Sequence, residues 1–253
     1  MTAPLTDRHA FVIGSNRGIG AAIALRLAQD GAVVCCAART ADAAEGAAAG
    51  LRDRGLRAHA VVADLNDRAS VDRAIDAGSA AHGPLDILVQ CGAVTATTPF
   101  LDISESEWEH VIQTNVTGTF HACQSFARHL RDHDRPGSII VVTSQLAQVA
   151  LPAKAHYVAS KGAMDMLVKA MAVDLAPLRI RVNALAPGVT RTDMAMSRLD
   201  QDPSAHAWTL DRIPMGRLAE ADEMGGAAAF LASDDASYMT GSTIVVDGGY
   251  LSV

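Results

Sequence analysis

Tyr157 and Lys161 stand four residues apart in Tyr157-Val158-Ala159-Ser160-Lys161, one helical turn, so their side chains share a face. A free phenol has a pKa of about 10, and a nearby ammonium favours the phenolate, which suits the pair to proton exchange with a substrate. Bringing the phenol to about 7 would take about 4 kcal/mol of differential stabilisation. Ser144 follows Ile139-Ile140-Val141-Val142-Thr143, a run that reads as a strand, and ligands of open α/β sheets bind beyond such carboxyl ends. A hydroxyl there can hydrogen-bond a substrate oxygen as negative charge develops on it. Asn115, in Thr114-Asn115-Val116-Thr117-Gly118, is a poor helix former inside a helical segment, which marks its amide for another purpose.

A second group of residues suits a phosphate. The first strand runs into Gly14-Ser15-Asn16-Arg17-Gly18-Ile19-Gly20 and then directly into a helix. Glycines allow a tight turn and a close backbone approach, while free N–H groups and the positive end of the helix dipole favour a diphosphate. The spacing G-x-x-x-G-x-G differs from the usual G-x-G-x-x-G dinucleotide fingerprint. Such sites often place a carboxylate about 20 residues on to bind the ribose 2′-hydroxyl. Here Ala38 and Arg39 occupy that place. A guanidinium pairs with a 2′-phosphate that a carboxylate would repel, and Arg17 could add a second contact, so NADP(H) is favoured over NAD(H), which stays possible.

The elements that must position these residues are short β-branched runs at Ala10–Ile13, Ala32–Ala37, Ala58–Val62, Asp86–Val89, Ser138–Thr143, Ile180–Leu185 and Thr243–Val246. Apolar on both sides, they read as seven strands of a parallel sheet covered on both faces. Helices are expected between them at Gly18–Asp30, Ala41–Arg54, Arg68–His82, Ser104–Asp132 and Ala155–Leu178. The alternation predicts an α/β doubly wound sheet with right-handed connections. Ser104 followed by Glu107 predicts a capping box, and Met164, Leu167, Val168, Met171 and Leu175 form one apolar helical stripe. No linker or repeat divides the chain, so one domain is expected over residues 1–253.

Composition narrows the partners. Of 253 residues, 49% are apolar, 19% charged and 4% aromatic, which excludes disorder and favours closely packed helices over an aromatic platform for stacking bases. The balance 21 − 28 = −7 opposes nucleic acid and anionic membranes, so a small metabolite is the better partner. Met1 to Arg8 lacks the pattern of a secretory signal, and no later run reaches the roughly 18 apolar residues of a membrane span. Cys35, Cys36, Cys91 and Cys123 form no C-x-x-C pair, which fits a reducing cytosol. His129 and His133 have metal-ligand spacing without a third ligand, so no metal is expected.

Together, Gly14-x-x-x-Gly18-x-Gly20, Asp64-Leu65, Asn115, Ser144, Tyr157-x-x-x-Lys161 and Pro187-Gly188 resemble the short-chain dehydrogenase/reductase family, from Phe11 to Val245-Val246-Asp247-Gly248-Gly249. The resemblance implies a Rossmann-type seven-stranded sheet and hydride transfer between C4 of nicotinamide and a carbonyl or alcohol carbon. By the same likeness Tyr157 exchanges the proton, Lys161 lowers its pKa and holds the nicotinamide ribose, Ser144 polarises the substrate oxygen and Asn115 holds a proton-relay water. Asp64 would bind adenine, Ile19 would lie near the diphosphate, Thr192 would contact the carboxamide, and Leu65, Cys91, Gly92, Pro187, Gly188 and Val189 would line the rest of the cofactor site. Homo-oligomerisation, as a dimer or tetramer, is implied too.

Two segments depart from the family pattern. Gln90-Cys91-Gly92-Ala93 stands where Asn-Asn-Ala-Gly is usual, and Ile13 stands where a Thr precedes the first glycine; both bear on cofactor affinity. A variable substrate loop is expected at about 187–217, and Gln145, Leu146, Gln148, Leu151, His156, Met194 and Trp208 are the expected substrate contacts, with Val189 beside them. Amides and an imidazole among apolar side chains suit a small polar ketone or secondary alcohol, as in the sugar, sugar-acid and polyol members, better than a sterol. One alternative is reduction of a 3-oxoacyl group on an acidic carrier protein, with Arg128, Arg131 and Arg135 as candidate carrier contacts. The other is a non-catalytic NADP(H)-binding sensor.

Overall fold

A computed structural model of the chain describes residues 4–253, so the start of the Met1–Arg8 stretch lies outside the described residues. Seven parallel strands form one sheet: β1 (His9–Ile13), β2 (Val33–Ala38), β3 (Ala58–Val62), β4 (Ile87–Gln90), β5 (Gly137–Val142), β6 (Ile180–Pro187) and β7 (Thr243–Val246), in the order β3-β2-β1-β4-β5-β6-β7. All strand expectations hold to within two residues. The order reverses between β1 and β4, and the crevice at such a switch point is where open sheets bind ligands.

Period-two alternation sorts the strand residues between two cores. Phe11, Ile13, Cys35 and Val141 face one side with Val71, Phe126, Met164 and Val168, beneath α3 (Arg68–His82), α5 (Gly118–Asp132) and α6 (Ala155–Leu175). Ala10, Val12, Cys36 and Val142 face the other, beneath α1 (Gly18–Gln29), α2 (Ala41–Arg52) and α9 (Glu223–Ala232). The central strands are buried throughout, whereas the edge strands β3 and β7 are half-buried, having a neighbour on one side only. No helix among the described residues is long and apolar enough to cross a membrane.

Three expectations are corrected. The segment Ser104–Asp132 is not one α-helix: α4 (Glu105–Ile112) and α5 flank a π turn, Gln113–Thr117, with Asn115 at its centre. The capping box is half formed, since Ser104 Oγ accepts from the Glu107 N–H at 3.2 Å while the Glu107 carboxylate accepts from Thr98 Oγ1 at 2.6 Å. The region after β6 is not merely a variable loop. It holds α7 (Asp193–Leu199) and α8 (Pro203–Asp211), which close over the sheet edge around Leu199, Ala205, Ile213, Leu218 and Tyr250. Asp202 caps α8, accepting from the N–H groups of Ser204 and Ala205, with Pro203 in the first turn, a start signal readable in the sequence. Gly225 and Gly226 disguise α9, yet a Cβ on Gly225 would lie 2.9 Å from Arg26 Cβ, so the glycine lets α9 lie close on α1.

Candidate active site

Register pairs Ile13 with Gln90, Gln90 with Val141 and Val142 with Leu185, so the residues that follow β1, β4, β5 and β6 emerge along one edge. There they wall a cleft of about 760 Å³. Its phosphate end is built by close approach. Gly14 has φ +80°, and a Cβ on Gly20 would lie 2.1 Å from the Gly14 carbonyl oxygen. No side chain caps the start of α1, so its first N–H groups remain available to an anion. Gly18, Asn16, Ile19, Arg17 and Arg39 line this end, and the last two are exposed, with Arg17 3.8 Å from Asp193. Ser15 is buried and turned away, its hydroxyl donating to the Ala37 carbonyl at 3.4 Å. An uncapped helix start, glycines with no room for a side chain and two guanidiniums fit a phosphorylated dinucleotide. Asp64, Leu65, Cys91, Gly92, Pro187, Gly188, Val189 and Thr192 continue along the same wall.

The Gln90-Cys91-Gly92-Ala93 segment has its own solution to the missing Asn. Gln90 Oε1 accepts from the Gly92 N–H at 2.7 Å and Gln90 Nε2 donates to the Gly92 carbonyl at 3.2 Å, so one side chain clasps the turn from both sides. Gln90 Nε2 also donates to Thr119 Oγ1, which donates to the Asn115 carbonyl at 2.6 Å. The Asn115 amide is committed elsewhere: its Oδ1 accepts from the Val94 N–H at 2.8 Å, and its Nδ2 donates to the Val94 carbonyl and to Ser160 Oγ. Ser160 in turn donates to the Tyr157 carbonyl at 2.7 Å. Asn115 is therefore wholly buried behind the cleft, tying the π turn to α6.

Ser144, Tyr157 and Lys161 all line the cleft. Lys161 is 2% exposed and donates to the Val142 carbonyl at 3.0 Å, at the end of β5. Its Nζ lies 5.6 Å from the centre of the Tyr157 ring. Burial holds the ammonium down at about 8, with Cys91 acting weakly against it. Burial also pushes the Tyr157 phenol up to about 12, opposed by a hydrogen bond with Ser144. The lowering of Tyr157 expected from Lys161 is not found: burial is the largest influence on the phenol, and the group that opposes it is Ser144. The Tyr157 phenol is thus a proton donor at neutral pH.

The substrate half is mixed in character. Leu146, Leu151, Val189, Met194, Trp208 and Tyr250 supply apolar surface. The Arg212 guanidinium lies 4.6 Å from the centre of the Trp208 ring and 5.8 Å from that of Tyr250, which pins α8 over the cleft. Gln145 is 1% exposed and both its amide atoms lack a hydrogen-bond partner among the described residues. Two expected contacts are misplaced. His156 is wholly buried and outside the cleft, its Nε2 3.0 Å from Glu107 Oε1 and its Nδ1 accepting from the Tyr157 N–H. Gln148 is exposed, beyond the 3₁₀ turn Gln145–Ala147, and does not reach the cleft.

Lys154 and Thr95 line the cleft without having been expected there; Lys154 is the N-cap residue of α6, one turn before Tyr157, a spacing readable in the sequence. The basic group proposed for a carrier protein lies elsewhere. Arg135 pairs with Asp86, at the start of β4 and so at the opposite edge of the sheet, and Arg131 pairs with Asp132. His129 Nε2 accepts from the Leu85 N–H at 3.1 Å, and His133 Nδ1 lies 2.8 Å from the His129 carbonyl oxygen, so both imidazoles serve the packing there.

A family model of the short-chain dehydrogenases, described as enoyl-(acyl carrier protein) reductase, matches residues 13–251. Gluconate 5-dehydrogenase of Gluconobacter oxydans is 36% identical over 245 residues, covering 97% of this chain and 95% of that protein. 3beta-hydroxysteroid dehydrogenase 1 of Eggerthella lenta is 38% identical over 248 residues, covering 97% and 94%. The crystal structure of a gluconate 5-dehydrogenase from Burkholderia cenocepacia, in complex with NADP and tartrate, superposes with a TM-score of 0.95 at 36% identity, covering 100% of this chain and 98% of that one. Sheet order, glycine turn and family match agree over nearly the whole length: the chain belongs to the short-chain dehydrogenase/reductase family, oxidoreductases that interconvert C=O and CH–OH groups.

Proposed function

We propose that the protein is an NADP(H)-preferring oxidoreductase acting on a small polar ketone or secondary alcohol of the keto-sugar, sugar-acid or polyol type. The observation that carries this reading is Gln145, a buried amide with no partner among the described residues, in the cleft wall next to Ser144. An unmet amide costs about 1–3 kcal/mol, which a hydroxyl-bearing substrate would return and a sterol face would not. The gluconate dehydrogenases among its relatives support the same class. The whole chain acts as one catalytic domain, and its residues divide the work. When bound, the nicotinamide supplies or accepts the hydride at C4. Ser144 hydrogen-bonds the substrate oxygen, and Tyr157 donates its proton to that oxygen as charge develops in reduction. Lys161 holds its charge beside the ring from its anchor on Val142, and Asn115 acts as a positioning residue through Val94 and Ser160.

The preference for NADP(H) rests on Arg17 and Arg39 at the phosphate end, and the solved relative's NADP supports it. Exposed Phe120, Met166 and Val173 on α5 and α6 support assembly as a homodimer or homotetramer. Four free cysteines support a cytosolic setting. The test is turnover of keto-sugar acids, ketoses and 3-oxoacyl thioesters with NADPH and NADH in parallel. Tyr157→Phe should lose about 10²–10⁴-fold in kcat, the usual worth of a positioned acid. Full activity in that variant would sink the mechanism, and binding of NADPH without turnover on any substrate would favour a sensor. Arg39→Asp should lower the NADPH-to-NADH ratio of kcat/KM at least tenfold; an unchanged ratio would remove Arg39 from the cofactor site.

A further inference from the structure

Lys154 brings a charge into the substrate half of the cleft. Its ammonium donates to Thr95 Oγ1 at 3.0 Å and to the Ala96 carbonyl at 2.8 Å, acceptors in the segment that follows β4, and so is held on the wall it shares with Thr95, Ser144, Leu151 and Tyr157. The carboxylates that line the cleft, among the described residues, are Asp64 and Asp193, and both belong to its cofactor half. Asp64 follows β3, and Asp193 faces Arg17. Among the described residues the other lysines and arginines of the wall are Lys161, anchored on Val142, Arg191, paired with Glu220, and Arg17 and Arg39 at the phosphate end. In a chain of formal net charge −7, the substrate half is locally basic.

We infer that Lys154 binds a carboxylate of the substrate, so that the preferred ketone is a keto-sugar acid and not a neutral ketose or a thioester. This deepens the reductase reading above and rests on it. An ammonium against a carboxylate forms a charge-assisted hydrogen bond, stronger than the bond the same group makes to a neutral hydroxyl. Selection would come from that difference, with Gln145 serving the hydroxyls common to both substrates.

The experiment compares kcat/KM for 5-keto-gluconate and for xylulose with NADPH in wild type, Lys154→Met and Lys154→Arg. The wild type should prefer the acid, Lys154→Met should lower the acid-to-neutral ratio at least tenfold through KM, and Lys154→Arg should restore most of it. A loss of folding would lower both substrates together and leave the ratio alone. A wild-type preference for the neutral ketose, or an unchanged ratio in a Lys154→Met protein that keeps the wild-type Tm, would overturn the assignment. Should neither ketone react, binding of tartrate against neutral threitol to the NADPH-loaded protein reads the same selectivity. Tartrate preferred by wild type and not by Lys154→Met upholds the carboxylate site even if the reductase reading has failed, and equal binding in wild type overturns it.

Discussion

Gly20→Ala tests whether the start of α1 is pinned to the glycine turn. The added methyl would lie 2.1 Å from the Gly14 carbonyl oxygen and 2.8 Å from the Gly14 carbonyl carbon. To reach the 3.0 Å below which real contacts do not occur, the two must part by 3.0 − 2.1 = 0.9 Å. Both obstructing atoms are backbone, so no rotamer relieves the clash and the helix start must shift bodily. Overpacking of this kind costs about 1–3 kcal/mol, which lowers Tm by roughly 2–12 °C in a chain of this size. A displacement of almost an ångström at the phosphate turn should also weaken NADPH binding and cut kcat/KM by up to about 10²-fold. Thermal denaturation and NADPH fluorescence titration read the two effects, with Gly46→Ala as control. Gly46 lies on exposed α2 with open space around it, and its replacement should stabilise by about 0.5–1 kcal/mol. A Gly20→Ala protein with unchanged Tm and unchanged NADPH affinity would refute the packing described for the turn.

Three further outcomes can be checked together. In ketone reduction the phenol must carry its proton, and Tyr157, held at about 12, keeps it over the working range. Lys161, held at about 8, loses its charge above that pH, so kcat/KM should be level near neutrality and fall above about pH 8; a rate that climbs through this range would contradict it. Gln145→Leu removes an unmet buried amide and should raise stability by up to about 1–3 kcal/mol while raising KM for polyhydroxy ketones, and a drop in Tm would count against the cost assigned to that amide. The rings of His9, His59 and His82 lie with centres 4.8 to 5.9 Å apart at the base of the sheet. Burial holds His9 low and His59 at about 4, below the unfolded value of about 6.5. Their contribution is whole above that value and fades as pH falls toward 4, so Tm should drop over this window and His59→Phe should flatten the slope.

The strands were readable because burial on both faces leaves an unbroken apolar run, a pattern that Ala10–Ile13 and Ile139–Val142 display without ambiguity. Edge position was not readable: Val62 at 45% exposure is as apolar as its buried counterparts. The helices α7 and α8 escaped notice because they cover the cleft rim with scattered apolar residues and no stripe, although Asp202-Pro203 announced the second. The π turn at Asn115 could not be foreseen, since its register is set by bonds to Val94 and Ser160 that are remote in sequence. His156 was misplaced by adjacency. Successive helical residues point about 100° apart, so the neighbour of Tyr157 faces the α4 side and Glu107, whereas Lys154, one turn earlier, faces the cleft with it.

The Gln90 clasp bears on how this chain can change over generations. One side chain satisfies both polar groups of Gly92 and also leads, through Thr119 and Asn115, to the turn of α6 that carries Tyr157. Replacing Gln90 alone would strand Gly92 in the cofactor turn and take the donor from Thr119 Oγ1 in the first turn of α5 at once. Restoring the usual Asn-Asn-Ala-Gly spelling therefore changes all four residues from 90 to 93, and the shorter Asn at 90 taken alone would release Gly92 and Thr119 together. The clasped turn and its distant threonine thus form one unit, in which a change at either end is felt at the other.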